Sequence, residues 1–181
     1  MNLALILAAG LALAVILIYN QLVRLRNLAK EGWSGIDVQL KRRADLVPNL
    51  VSTVKAYASH EKSLFEEVTR IRSEALRPHT VEEQGETEAA LTQSLKKLLV
   101  VAEAYPELKA NSNFLALQNE LSSIENTLQK ARRYYNGTVR ELNTKIETFP
   151  QNLIAKLFSF QKESFFSLSS ETERSTPEID L

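Results

Sequence analysis

Apolar residues run without a charge from Leu3 to Tyr19, and the first basic residues, Arg24 and Arg26, come only after Asn20 and Gln21. A helical bilayer span needs roughly 17–25 apolar residues. The run therefore predicts a transmembrane anchor over residues 1–20, at about the minimum length. Beyond it the pattern becomes periodic. Trp33, Ile36, Leu40 and Ala44 form one stripe; Val51, Val54 and Ala58 follow Pro48; then come Leu64, Val68, Ile71 and Ala75. Leu91, Leu95, Leu98, Ala102 and Tyr105 form a further stripe. The longest comprises Phe114, Leu117, Leu121, Ile124, Leu128, Ala131, Tyr135, Thr138 and Leu142. Steps alternating between three and four place residues on one face of a helix. Opposite the longest stripe stand Asn119, Asn126, Arg133 and Arg140, a polar outer face.

Four amphipathic segments result, roughly 21–46, 47–76, 86–104 and 110–147. Pro48 removes a backbone donor and clashes with the carbonyl four residues back, so the first two are either one kinked helix or two. Between Arg77 and Glu88, Pro78 and Gly85 act as breakers with no apolar period, which predicts a loop. Each stripe must be buried against another, and short connections favour antiparallel neighbours. The expected fold is all-α, a transmembrane helix followed by an antiparallel four-helix bundle over 21–166. From Ser167 to Leu181, Ser, Thr, Glu and Asp dominate, which predicts a disordered acidic tail.

The anchor has one competitor, a cleaved secretory signal. That would need a basic n-region and a small-x-small cleavage site, whereas no Lys or Arg precedes the run and Ala8, Ala9 and Gly10 lie in its middle. A retained anchor is expected, with membrane lipid covering residues 3–19. Arg24, Arg26 and Lys30 just after the span place the amino terminus outside and the bundle in the cytoplasm, since basic flanks stay cytoplasmic. Glu31 adjoins them, and the opposite topology stays open.

Composition narrows the chemistry. Basic and acidic residues balance at 22 each, so nucleic-acid binding through counterion release is not indicated. The chain has no cysteine, and its two histidines, His60 and His79, lack the glutamate three residues back that a di-iron carboxylate bundle uses. The five glycines match no phosphate-binding loop. No enzyme activity, cofactor or metal is expected. Candidate contact surfaces are the basic cluster Lys41, Arg42 and Arg43, the pair Arg132 and Arg133 beside two tyrosines, and the phenylalanines near the end, Phe165 and Phe166 among them. For each there is a plainer reading: a solvated helix face, a helix interior, or a terminal segment that caps the bundle.

The run Trp33-Ser34-Gly35-Ile36-Asp37-Val38-Gln39-Leu40-Lys41-Arg42-Arg43, with Asp45-Leu46-Val47-Pro48-Asn49-Leu50-Val51, resembles the LemA family of bacterial membrane proteins. Val101 to Asn111 resembles its second block, and Ala131 to Asn136 with Asn143, Phe149-Pro150 and Phe165-Phe166 its third. Gly32 and Gly137 stand where less flexible residues are expected. The resemblance implies a single-span anchor in the bacterial inner membrane, a LemA-type four-helix bundle and no established enzymatic activity, with an association to cell-envelope stress. The expected function is a membrane-tethered adaptor or scaffold with protein partners. The alternative is a lipid-binding, membrane-remodelling scaffold that forms homo-oligomers.

Overall fold

A computed structural model describes residues 3–77 and 79–167. They are helical, with no strand among them. The elements are α1 (Leu3–Lys55), α2 (Lys62–Ala75), α3 (Val81–Glu103), α4 (Pro106–Lys109), α5 (Ser112–Glu147) and α6 (Gln151–Leu157). A long apolar helix thus leads into a helical domain, as expected. Apart from Ser167, the acidic tail lies outside the described residues, as do Pro78 and the first two positions.

The chain gathers into two compact units. Among the described residues, one draws on α1 up to Ile36 and on the chain from Gln129 to Phe165; the other draws on the chain between Asp37 and Leu128 and on Phe166 and Ser167.

Within the second unit, α1 runs through Pro48 as one helix. Proline cannot donate to the carbonyl four residues back, which is that of Ala44. Arg72 on α2 replaces the missing donor: its Nε donates to Ala44 O at 2.6 Å. The proline itself faces solvent. α1 instead ends at Lys55, where bonds spanning three residues take over, Tyr57 N to Val54 O at 3.0 Å and Glu61 N to Ala58 O at 3.2 Å. The expected segment 47–76 is therefore divided at residues 56–61, where neither glycine nor proline marks a turn.

The core of this unit joins Val47, Leu50 and Val54 of α1, Leu64, Phe65 and Val68 of α2, Leu91, Leu95 and Leu98 of α3, and Phe114, Leu121 and Ile124 of α5. α3 begins at Val81, inside the expected loop. Its signal is Thr80-Val81-Glu82-Glu83, a capping box. The Thr80 hydroxyl accepts from Glu83 N at 3.3 Å, and Thr80 N donates to Glu83 Oε2 at 2.9 Å. That backbone bond, with the hydroxyl's, holds the Glu83 carboxyl below its usual range. A lowered acid stabilises the fold above its unfolded value, and the contribution is lost as pH falls through its folded value. Thr80→Ala is expected to lower stability by about 1 kcal/mol at neutral pH. Urea denaturation of the parent and the variant at neutral pH would show it.

Gly85 consequently sits inside α3 rather than breaking a helix. A Cβ there would strike the Ser167 carbonyl oxygen, so the position allows the chain after Phe166 to lie directly on the helix.

In the first unit, Leu22 and Leu25 of α1, Leu142 of α5, Ala155 of α6 and Phe160 form a core. Gly32 brings α1 close to α5: a Cβ there would lie 3.2 Å from the Tyr135 Cα. Trp33 packs on the Tyr135 ring, with centroids 5.6 Å apart. The chain beyond α6 returns along α5. Asn143 donates to Glu163 O at 2.9 Å and accepts from Glu163 N at 3.0 Å. The Tyr135 hydroxyl donates to Ser164 O at 2.8 Å.

Candidate functional site

The basic cluster on α1 separates by helix geometry. Lys41 and Arg42 are exposed; Lys41 pairs with Asp45 at 3.1 Å, and Arg42 reaches Glu120 at 4.0 Å. Arg43, expected on the same surface, is only 1% exposed. The reason is register: Ile36, Leu40, Arg43, Val47, Leu50 and Val54 follow one another at steps of three and four, and all are buried. Arg43 therefore points into the second unit and is no part of a contact surface.

There it meets two acids. Nη2 pairs with the Glu88 carboxylate on α3 and donates to Glu88 O at 3.3 Å. Nη1 donates to Glu125 Oε1 on α5 at 2.6 Å and to Thr92 Oγ1 at 2.9 Å. The second Glu88 oxygen accepts from Gln84 Nε2 at 2.9 Å, while the Thr92 hydroxyl donates to Glu88 O at 2.9 Å. Arg43 Nε is buried without a hydrogen-bond partner. Glu88 is as buried as Arg43, whereas Glu125 is partly exposed.

Burial opposes charge on Arg43, but Glu88 and Glu125 more than offset it and hold the guanidinium above its ordinary range. Burial also pushes the Glu88 carboxyl up, against the pull of Arg43 and Gln84. The causes differ: two carboxylates around one cation raise Arg43, whereas burial raises Glu88, with the neighbouring Glu125 charge the least of its causes. The cluster ties α1, α3 and α5 together by charge-assisted bonds.

Its acidic members escaped sequence reasoning, although the signal was present. Gln84, Glu88, Leu91, Leu95, Leu98 and Ala102 continue one stripe at steps of three and four, so Glu88 occupies a core position. A charge in a core register calls for an opposite charge in another stripe, and Arg43 is that charge.

On α5, Arg132 is half-buried beside the core stripe and Arg133 is exposed, as expected of the outer face. The aromatic cluster near the end also divides. Phe160 and Phe166 are buried, whereas Phe149, Phe158 and Phe165 are exposed. Phe166 belongs to the core of the second unit, because the chain seats it beside Gly85, and it drops out of the candidate surface. His79 lies 2.9 Å from Glu74 O, and His60 is exposed in the turn after α1. Among the described residues no three His, Asp or Glu side chains gather as metal ligands. An open cleft of about 510 Å³ lies between the end of α1 and α2, lined by Val51 and Phe65 together with Lys55, Lys62, Glu66 and Arg70.

The other surface of note is α1 itself. From Leu3 to Leu17 its leucine and isoleucine side chains are exposed, and the helix is long and apolar enough to cross a membrane.

The sequence pattern of the LemA family matches residues 32–181, most of the chain. The chain belongs to the LemA family. It is similar to Protein LemA of Metamycoplasma hominis, with 27% identity over 157 residues that cover 86% of this chain and 71% of the relative. It is also similar to Magnetosome protein MamQ 2 of Paramagnetospirillum magneticum, at 22% identity over 192 residues, 89% of this chain and 70% of the relative. Magnetosome protein MamQ of Magnetospirillum gryphiswaldense matches at 21% over 189 residues, with the same coverage. The matched range begins after the apolar run and spans the positions of Arg43, Glu88 and Glu125.

Proposed function

We infer that this LemA protein is a membrane-anchored adaptor or scaffold without catalytic activity, its helical units presented at the bilayer by α1. The observation that carries this reading is the apolar surface of Leu3 to Leu17, exposed on all sides of a helix that continues without a break into the packed domain. Leaving that surface in water is unfavourable, and lipid is the medium that covers it on every side. Arg24, Arg26 and Lys30 favour a cytoplasmic domain. Two of the relatives are named as magnetosome proteins, which agrees with work at a membrane. The buried cluster serves architecture, so recognition falls to exposed groups: Lys41 and Arg42 on one unit, Arg133 and Phe165 on the other.

Leu11, at the middle of the run, is the sensitive position. An arginine at a helix centre costs about 2.5–3.5 kcal/mol of insertion, and a run of minimum length has no reserve. Leu11→Arg is expected to move the protein from alkali-washed membranes into the soluble fraction with its far-UV spectrum nearly unchanged. Retention in the washed membranes would sink the anchor reading. A photo-reactive residue at Lys41 or Arg133 in cells is expected to give a discrete protein adduct that disappears with Leu11→Arg. No adduct at either position would exclude the adaptor role.

A further inference from the structure

α6 and the residue before its turn expose large apolar side chains. Phe149 is 79% exposed, Leu153 59% and Leu157 71%. Leu153 and Leu157 stand four apart and share one face of the helix; Phe158 beside them is also exposed. The opposite side of α6 is docked: Ala155 is buried in the core with Leu22 and Leu25, and Ile154 packs against the same cluster together with Ile18 and Tyr19. Tyr19 is the last residue of the apolar run, and its ring lies 4.8 Å from Phe158 and 5.8 Å from Phe160. These contacts put α6 level with the end of the span. Arg26 lies over the Phe160 ring at 5.1 Å, and Arg24 and Lys156 are exposed nearby in the chain.

The geometry points to a second membrane contact: α6 with Phe149 and Phe158 is an interfacial element that dips into the headgroup boundary of the bilayer α1 crosses. This rests on the reading of α1 as a span. Lipid that covers α1 up to Tyr19 reaches α6, because Phe158 packs against Tyr19; a protein docking on Leu153 and Leu157 would have to displace headgroups from that site. Amphipathic elements with an apolar edge and basic neighbours settle at this depth, and exposed aromatic rings are favoured there. Arg24, Arg26 and Lys156 match the phosphates of anionic lipid. The contact would fix the tilt of α1 and hold the first unit against the surface, which a single span alone does not do.

The absence of cysteine in the chain makes the test clean. Leu153→Cys, Leu157→Cys, Leu11→Cys and Asn126→Cys, each carrying a fluorescent label, would be made in the full chain. They would be reconstituted into vesicles of phosphatidylethanolamine and phosphatidylglycerol. Labels at 153 and 157 are expected to be quenched by lipid nitroxides placed near the headgroup and to be several-fold less accessible to iodide than the label at 126. The label at 11 should respond to nitroxides deep in the acyl chains. Iodide access at 153 and 157 equal to that at 126, with 11 in the hydrocarbon, overturns this inference while the anchor stands. Shielding of 153 and 157 from both quenchers means a protein covers them and overturns it too. A label at 11 in water overturns this inference and the anchor together.

Discussion

Arg43→Ala is expected to destabilise the protein by about 3–5 kcal/mol, the penalty for removing one partner of a buried ion pair. The cost comes less from the lost bonds than from what stays behind. Glu88, as buried as Arg43 itself, would keep the Gln84 amide as its carboxylate's partner. Its carboxyl already lies above the usual range through burial, against the pull of Arg43. Without that pull it rises further. An acid raised in the fold favours folding below its unfolded value, and that contribution is lost as pH rises through the folded value. The deficit of Arg43→Ala should therefore be smallest in acid and grow towards neutral pH. Urea denaturation of the full chain in detergent micelles, followed by circular dichroism across that range, reads both quantities. Arg43→Leu combined with Glu88→Leu is expected to recover much of the loss, because an apolar pair replaces an ion pair without an orphaned charge. Glu125 can be left in place, since it is partly exposed and water can solvate it. A flat pH dependence, or a double variant no better than the single one, would show that Glu88 is not the residue left stranded.

Most of the helical layout could be read from spacing alone. Every member of the Phe114 to Leu142 stripe is buried or partly buried, and Asn119, Asn126, Arg133 and Arg140 are all exposed. That helix buries one face, so spacing reads most of it, although the fully buried Val139 widens the face beyond the stripe. The departures have tertiary causes. Pro48 neither breaks nor ends α1, because Arg72, 28 residues beyond Ala44 in sequence, supplies the donor to Ala44 O that proline lacks. The turn at 56–61 carries no glycine or proline, so no local residue announces it. Instead, Ala58 is fully buried there and the Tyr57 hydroxyl accepts from Asn111 at 3.0 Å. Gly85 read as a breaker because its use, a close approach by chain some 80 residues later, is invisible locally.

The candidate surface was harder, because composition does not say which way a side chain points. Lys41-Arg42-Arg43 reads as one basic patch, yet successive helical residues lie about 100° apart, given 3.6 residues per turn, and only the register of the core decides which of the three turns inward. Following the buried stripe from Ile36 through Leu40 would have singled out Arg43, and following α3 back from Leu91 would have singled out Glu88. Pairing the two needed the fold. The phenylalanines show the same limit: Phe165 and Phe166 are neighbours, and one is exposed while the other is buried.

Phe166→Ala is expected to cost about 3–5 kcal/mol, the range for truncating a fully buried aromatic side chain. Phe166 has no exposed surface and lies against α3, where its ring comes within 3.9 Å of the Cβ position of Gly85. Gly85→Ala acts on the same spot from the other side, since the new methyl group meets the Ser167 carbonyl, which is backbone and cannot rotate away. Overpacking of this kind costs about 1–3 kcal/mol, somewhat offset by the gain in helix propensity of alanine over glycine, about 1 kcal/mol. The two losses should not add. Once Phe166 is truncated, the chain at Ser167 has lost its anchor and can move off the helix, so Gly85→Ala in that background should be close to neutral or stabilising. The coupling is the diagnostic quantity, because residues that share one contact depart from additivity by 0.5 kcal/mol or more, whereas distant ones add. Four urea curves, for the parent, each single variant and the pair, give it directly. Additive losses would mean that Gly85 and Phe166 act independently and that the chain after Phe166 does not rest on α3 at Gly85.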